Sequence, residues 1–289
     1  MTPYPLLLTP VYKTAVWGGD RLNKLFGRTL PWEKVSESWD ISCRPDEMCI
    51  VENGELAGKT FENALQLLGY DYDRESFPLL LALIDATMDL SVQVHPGKDE
   101  SWYVAEAPPN ASVIMGLKSG VTKTALEAAL RPGNGQDVEQ LLNRVPVKKG
   151  DFIHIPAGVV HALTAGMIVY EVQQNIDITY RLYDYNRPGA DGKPRELHVD
   201  RALEIIDFTG SYETASKHYD VEIVTVEGEL AASSGQSGFH TLTVVEGCCV
   251  IETPTVKINA DTGRSVFIPA GIREYRIIGC CKLLKSIVR

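Results

Sequence analysis

The chain has 289 residues, 44% of them hydrophobic and 23% charged. That is enough apolar material for one large domain or two smaller ones, and it excludes a disordered chain. The formal net charge of −10 excludes general affinity for nucleic acid, which needs a basic surface, but not a small anionic substrate held by a local group of cations. No apolar run is long enough to span a bilayer and no charged-then-apolar leader follows Met1. A cytoplasmic protein without a membrane partner is therefore expected.

In chain order, "YPLLLTP" (4–10) reads as a first strand and "CIVENGELAGKTF" (49–61) as strand broken by turn residues. "FENALQLLG" (61–69) has helical patterning and closes on Gly69. After the apolar run Leu79, Leu80, Leu81 and Leu83 comes "SVQVHP" (91–96), a strand stopped by proline. Alternation puts Ser91, Gln93 and His95 on one of its faces and Val92 and Val94 on the other. Two further helical patterns follow, "TKTALEAAL" (122–130) and "DVEQLLNRV" (137–145). Then come strands in "DFIHIPAGVVHAL" (151–163) and "MIVYEVQQN" (167–175), and a fourth helix in "VDRALEIIDF" (199–208). The remainder, "HYDVEIVTVEGEL", "FHTLTVVEGCCVIET" and "RSVFIPAGIREYRIIG", is strand again. Short β-branched strands at this spacing mean a sandwich or barrel. The class is mainly β, with a few inserted helices.

An internal echo organises these strands. "KKGDFIHIPAGVVHAL" (148–163) and "DTGRSVFIPAGIREYRI" (261–277) both read turn glycine, strand, Ile-Pro-Ala-Gly, strand. The glycines mark tight turns with positive φ. This is the closing hairpin of a small double-sheet jelly roll, the cupin-type architecture. Two copies imply tandem jelly rolls. Residues 1–207 form the expected metal-binding domain with helical insertions, "DFTGSYETASKH" (207–218) the linker, and 218–289 a smaller jelly roll. The second copy has Arg273, Glu274 and Tyr275 where the first has His161, and is expected to lack metal ligands.

Six cysteines are present, with no C-x-x-C spacing and with two adjacent doublets, Cys248-Cys249 and Cys280-Cys281. They are expected to be reduced thiols, packed as small apolar side chains.

The candidate chemistry sits in the first copy. His95 has Gln93 beside it on the same face, and Glu100 stands just beyond the turn. His161 lies on a strand that a jelly roll could bring across the barrel. Two nitrogens and two oxygens suit a divalent ion such as zinc. His154 is read as a structural residue. In "YEVQQNIDITYRLYDYNRPG" (170–189), Glu171 and Gln173 share a face, as do Thr179, Arg181, Tyr183 and Tyr185, and Arg187 follows. Polar groups in such a strand are costly to bury unless paired; a solvated edge strand is the plain alternative.

Several stretches together resemble the type I mannose-6-phosphate isomerases of the cupin superfamily. They are "VWGGDRL", "SESWDIS", "LSVQVHP", "WYV", "VKKGDFIHIPAGVVHAL" and "EVQQNIDITYRLYDYNR". The resemblance implies a zinc-dependent aldose–ketose isomerase that interconverts mannose 6-phosphate and fructose 6-phosphate through a cis-enediol. The family's ligands fall on Gln93, His95, Glu100 and His161, for one zinc ion per chain. Its catalytic arginine falls on Arg181. The family carries a longer loop where "HPGKDESWYV" runs straight through, so Glu100 is assigned on that shortening, with Asp99 as the alternative carboxylate. Lys98 and Glu171 are the candidate bases, since burial beside a metal would lower the lysine pKa and desolvation would raise that of the glutamate. Arg181, Arg187, Lys98 and Ser91 are candidate phosphate donors. The expected partner is a small sugar phosphate. Two other readings use the same residues: a phosphosugar-binding cupin without turnover, and an iron oxygenase with a His/carboxylate metal site.

Overall fold

A computed structural model describes residues 2–72, 76–131, 135–189, 192–235 and 238–288. The fold is mainly β and cupin-like, with few helices. Three sheets carry it. One has five strands, in the order Leu142–Pro146, Ser112–Leu117, His161–Ala162, Val92–Val94, Tyr180–Tyr183. The second has six, in the order Phe152–Ile155, Glu100–Glu106, Ile168–Gln174, Leu79–Asp85, Glu37–Ile41, Val11–Lys13. The third is built largely from the C-terminal third of the chain, with long strands at Tyr219–Ala232, His240–Glu252 and Tyr275–Val288.

The strand Leu79–Asp85 explains the layering. All seven of its residues are buried, as expected of a strand covered on both faces. Leu80, Ala82 and Ile84 pack with Trp39, Trp102 and Leu163 on one side. Leu81 packs with Val172, Tyr219 and Phe267, and Leu83 with Tyr103, Tyr170, Val245 and Leu284, on the other. The six-stranded sheet thus gives one face to the candidate site and the other to the C-terminal sheet. A buried ion pair ties those layers together. Arg28 donates to Asp40 at 2.6 Å, and Asp40 also accepts from Ser38 at 2.8 Å and from Ser265 at 3.1 Å.

The helices at Phe61–Leu67, Lys123–Ala129 and Val199–Ile205 occupy the segments where the periodicity expects them. Thr60 and Thr122 cap the first two, each accepting from the backbone N–H three residues on. The 137–145 pattern is only partly helical. The helix is Gly135–Leu141, and Leu142–Pro146 is a strand paired with Ser112–Leu117, Ser112 facing Pro146 and Val113 facing Val145. Pro146 biases Val145 towards extended backbone, and the sheet edge supplies the partner. A short helix, Arg21–Phe26, begins at the end of "VWGGDRL"; six residues are too few for a periodic signal. Leu6–Thr9 is the strand expected, and it pairs with Ser265–Ile268 of the C-terminal sheet. Four cysteines are buried as expected, whereas Cys248 and Cys280 are exposed.

Candidate active site

Strand pairing delivers three polar side chains to one place. On the five-stranded sheet His161 pairs with Gln93, and Gln93 pairs with Arg181. Directly opposed residues of an antiparallel pair point to the same face, so an imidazole, an amide and a guanidinium sit side by side. Gly158, at φ 82°, makes the turn that leads into His161. On the six-stranded sheet Gln173 opposes Glu100 and Glu171 opposes Trp102. These face the first group across a cavity of about 220 Å³.

Both imidazoles are fixed in the same tautomer. His95 Nδ1 donates to the Ile178 carbonyl at 2.9 Å, and His161 Nδ1 to the Val159 carbonyl at 2.8 Å. Each Nε2 is thereby aimed inward, where a neutral ring carries its lone pair. His95 Nε2 lies 3.3 Å and His161 Nε2 3.1 Å from the Glu100 carboxylate. Glu100 Oε1 is buried without a hydrogen-bond partner. Burial disfavours the Glu100 charge, but neighbouring positive charge, Lys98 above all, outweighs it and holds the carboxyl well below its usual range. Burial, with Lys98 adding, pushes His95 down to about 4. Two imidazole nitrogens and one carboxylate therefore converge, their atoms within 4.8 Å of one another. That donor set fits a divalent cation such as zinc. Gln93 lies 3.5 Å from His95 Nε2 and 3.4 Å from His161 Nε2; turning its amide about χ3 would offer Oε1 to the same point.

A hydrogen-bonded chain leads away from Glu100. Its Oε2 faces Lys98 Nζ at 3.1 Å. Lys98 donates to Gln173 Oε1 at 2.5 Å, and Gln173 donates to Glu171 Oε1 at 2.5 Å. Glu171 Oε2 accepts from the Trp102 indole at 2.8 Å. Burial, reinforced by Glu100, raises the Glu171 pKa to about 8.

Other sequence candidates lie elsewhere. Asp99 points away from the histidines and accepts from Ala157 N at 3.1 Å and Ser216 Oγ at 2.7 Å. His154 bonds Ser101 at 3.0 Å on the far side of the strand. Arg187 is tied to Asp184 and to the Asp89 carbonyl and does not line the cavity. Arg181 does line it; its guanidinium donates to the Glu196 carbonyl at 2.8 Å and to Ser91 Oγ at 3.3 Å. Sequence reasoning did not single out Glu37, Trp39, Arg44, Asp177 or Arg195 on the cavity wall. Alternation within "SESWDIS" could have found the first two. It sends Glu37 and Trp39 to one face, where Trp39 donates to Glu37 at 2.7 Å, and Ser38 and Asp40 to the other.

The model of the phosphomannose isomerase type I catalytic domain matches residues 6–113. That of the mannose-6-phosphate isomerase cupin domain matches residues 209–288. A probable mannose-6-phosphate isomerase of Bacillus subtilis (strain 168) is 34% identical over 317 residues, 98% of this chain and 99% of its own.

The chain belongs to the type I phosphomannose isomerase family.

The crystal structure of the mannose 6-phosphate isomerase from Bacillus subtilis superposes with a TM-score of 0.89 at 32% identity, over 98% of this chain and 99% of that one. A more distant phosphomannose isomerase structure, bound with zinc and yttrium, shares the fold at TM-score 0.73 and 15% identity, over 99% of both chains. Membership makes the chain an isomerase, in a family that acts on small sugar phosphates. The matched length exceeds the 289 residues of this chain, so the Bacillus relative carries residues that this chain lacks. Among the described residues no helix is long and apolar enough to cross a membrane.

Proposed function

We propose that this cavity interconverts mannose 6-phosphate and fructose 6-phosphate around one zinc ion held by Gln93, His95, Glu100 and His161. The observation that carries the reading is the buried Glu100 carboxylate, with His95 Nε2 at 3.3 Å, His161 Nε2 at 3.1 Å and no hydrogen-bond partner for its Oε1. A buried polar atom left without a partner is costly, and a cation held between the carboxylate and the two imidazoles would supply one. Bound zinc supplies Lewis acidity, drawing off negative charge as it develops on the sugar's O1 or O2.

The residues of the chain supply the rest. Moving a proton between C2 and C1 needs a base with a pKa near the working pH. Glu171, raised to about 8 by burial and Glu100, meets that demand better than an ordinary surface carboxylate. It takes the proton from C2, leaving a cis-enediolate, and returns it at C1, while the O2 hydroxyl proton passes to O1, so that the C2–H and O2–H bonds are replaced by C1–H and O1–H bonds. Trp102 and Gln173 hold the carboxylate by its two oxygens and fix its direction. Lys98 is a donor in both of its contacts, which suits it to stabilise negative charge on a sugar oxygen. Arg181 stabilises the same oxyanion from the opposite sheet, an effect of about 3 kcal/mol when such a donor is removed. Arg195, also on the cavity wall, and Ser91 are the nearby donors for the phosphate.

The test uses purified, zinc-loaded protein and an assay that couples fructose 6-phosphate formation to a dehydrogenase. Turnover of mannose 6-phosphate is expected, lost on chelation and restored by zinc. Binding of the sugar phosphate without turnover would make the chain a binding module instead. Oxygen uptake by an iron-loaded form would make it an oxygenase.

A further inference from the structure

The two cysteine doublets lie outside the sugar site, on neighbouring strands of the C-terminal sheet. His240–Glu252 pairs antiparallel with Tyr275–Val288, and the register sets Cys248 directly opposite Cys280. The adjacent rungs pair Gly247 with Cys281 and Cys249 with Gly279. Directly opposed residues have Cα atoms about 4.5–5.5 Å apart and point to one face, inside the span of about 4.4–6.8 Å that a disulfide bridges. Cys248 and Cys280 are both exposed; Cys249 and Cys281 are buried on the other face. The flanking glycines mark a close approach of the two backbones. A Cβ at Gly279 would lie 2.5 Å from the Cys248 carbonyl oxygen, and one at Gly247 would strike that of Cys280.

We propose that Cys248 and Cys280 form a solvent-facing dithiol that closes to a cross-strand disulfide with an oxidant of the glutathione disulfide class. One protein thiolate attacks a sulfur of oxidised glutathione; the glutathione S–S bond breaks and one glutathione leaves as its thiol. The second protein thiolate then attacks the protein sulfur of the mixed disulfide and expels the other glutathione. Two protein thiols give up two protons and two electrons, and the oxidised glutathione takes them. The inner pair stays out of this exchange. Burial pushes the Cys249 thiol up to about 12 and raises that of Cys281, and thiols without thiolate or access do not exchange. No residue beyond Arg195 lines the sugar cavity. The cross-link thus falls on a part of the molecule that serves stability, by closing the stretch between the two strands.

The experiment incubates the full chain with oxidised glutathione, then removes the reagent and unfolds the protein. Titratable thiols are expected to fall from six to four. The intact mass is expected to drop by two hydrogens, and digestion to yield one cross-linked peptide containing Cys248 and Cys280. The thermal midpoint is expected to rise by several degrees, and dithiothreitol to reverse all of it. Cys248→Ser, an exposed and conservative change, is expected to lose the cross-link and carry a single glutathione on Cys280. Glutathione adducts on both cysteines of the native sequence without a cross-link would overturn the proposal. So would disulfide-linked chains on a non-reducing gel, a cross-link through Cys249 or Cys281, or six thiols surviving.

Discussion

The two Ile-Pro-Ala-Gly hairpins have one backbone and different contents. Gly158 turns at φ 82° and Gly271 at φ 81°. Six residues after the isoleucine, the first hairpin carries His161, buried and aimed at Glu100. The second carries Glu274 there, exposed to solvent. Its next residue, Tyr275, turns inward to receive a hydrogen bond from, or give one to, His240 Nδ1 at 3.0 Å. Around it the interior is filled by Val226, Leu242, Val244, Ile251 and Leu283. The jelly-roll turn is therefore a scaffold that brings a strand to a barrel interior. Chemistry depends on whether that interior is left polar or packed shut.

The sharpest way to break this comparison is to make the first hairpin like the second. His161→Ala removes one of the converging electron pairs and is expected to abolish measurable turnover. Removing an outer partner of a metal ligand already costs about 10- to 100-fold in metal affinity, so losing the ligand itself should cost more, read as zinc content after dialysis. Unchanged zinc content would mean that the histidines do not hold the ion. Arg181→Ala tests the neighbouring strand and is expected to have the next largest effect. Metal should stay bound while kcat falls about 100- to 1,000-fold, the usual loss for a donor to a developing oxyanion. A rise in KM at constant kcat would reassign Arg181 to holding the phosphate.

Much of this site was legible in the sequence because it depends on local alternation. The period of two in "SVQVHP" is enough to put Gln93 and His95 on one face, and the Ile-Pro-Ala-Gly repeat is enough to bring His161 to the barrel. What depends on long-range pairing was not legible. Asp99 and Glu100 follow a turn, at Gly97, which erases the phase of the alternation. Only pairing with Phe152–Ile155 and Ile168–Gln174 turns Glu100 inward and Asp99 towards Ser216. Alternation in "SESWDIS" puts Glu37 and Trp39 on one face, but that this face lines the site is set by pairing of Glu37–Ile41 with Leu79–Asp85, about which the local pattern is silent. Arg187 illustrates the opposite error. Its charge and its place in a motif suggested a ligand contact, yet its guanidinium is turned to Asp184 and the Asp89 carbonyl and it does not line the cavity. In the second half of "DVEQLLNRV", strand pairing overrides a helical pattern of the right period.

The smallest effect belongs to the second hairpin, and it tests whether that region is chemically silent. His240→Ala is expected to leave zinc content and turnover unchanged, because no residue of that barrel lines the sugar cavity. Its cost should appear in stability alone. Losing a buried hydrogen-bond partner costs about 1–3 kcal/mol, which in a chain of this size lowers the thermal midpoint by a few degrees. The pH dependence gives a second signature. Burial, with Lys285 adding, lowers the His240 pKa from 6.5 to about 4. Between those values the unfolded chain takes up a proton that the folded chain refuses, so the folded state loses stability as pH falls from 6.5 to about 4. The substitution removes that contribution. Measured on the zinc-loaded protein, in which the proposed site would engage His95, the fall in stability across this window should be shallower for His240→Ala than for the unaltered chain. An equal slope would mean that the His240 ring is not held neutral by its burial, and that the second barrel is less tightly closed than its packing indicates.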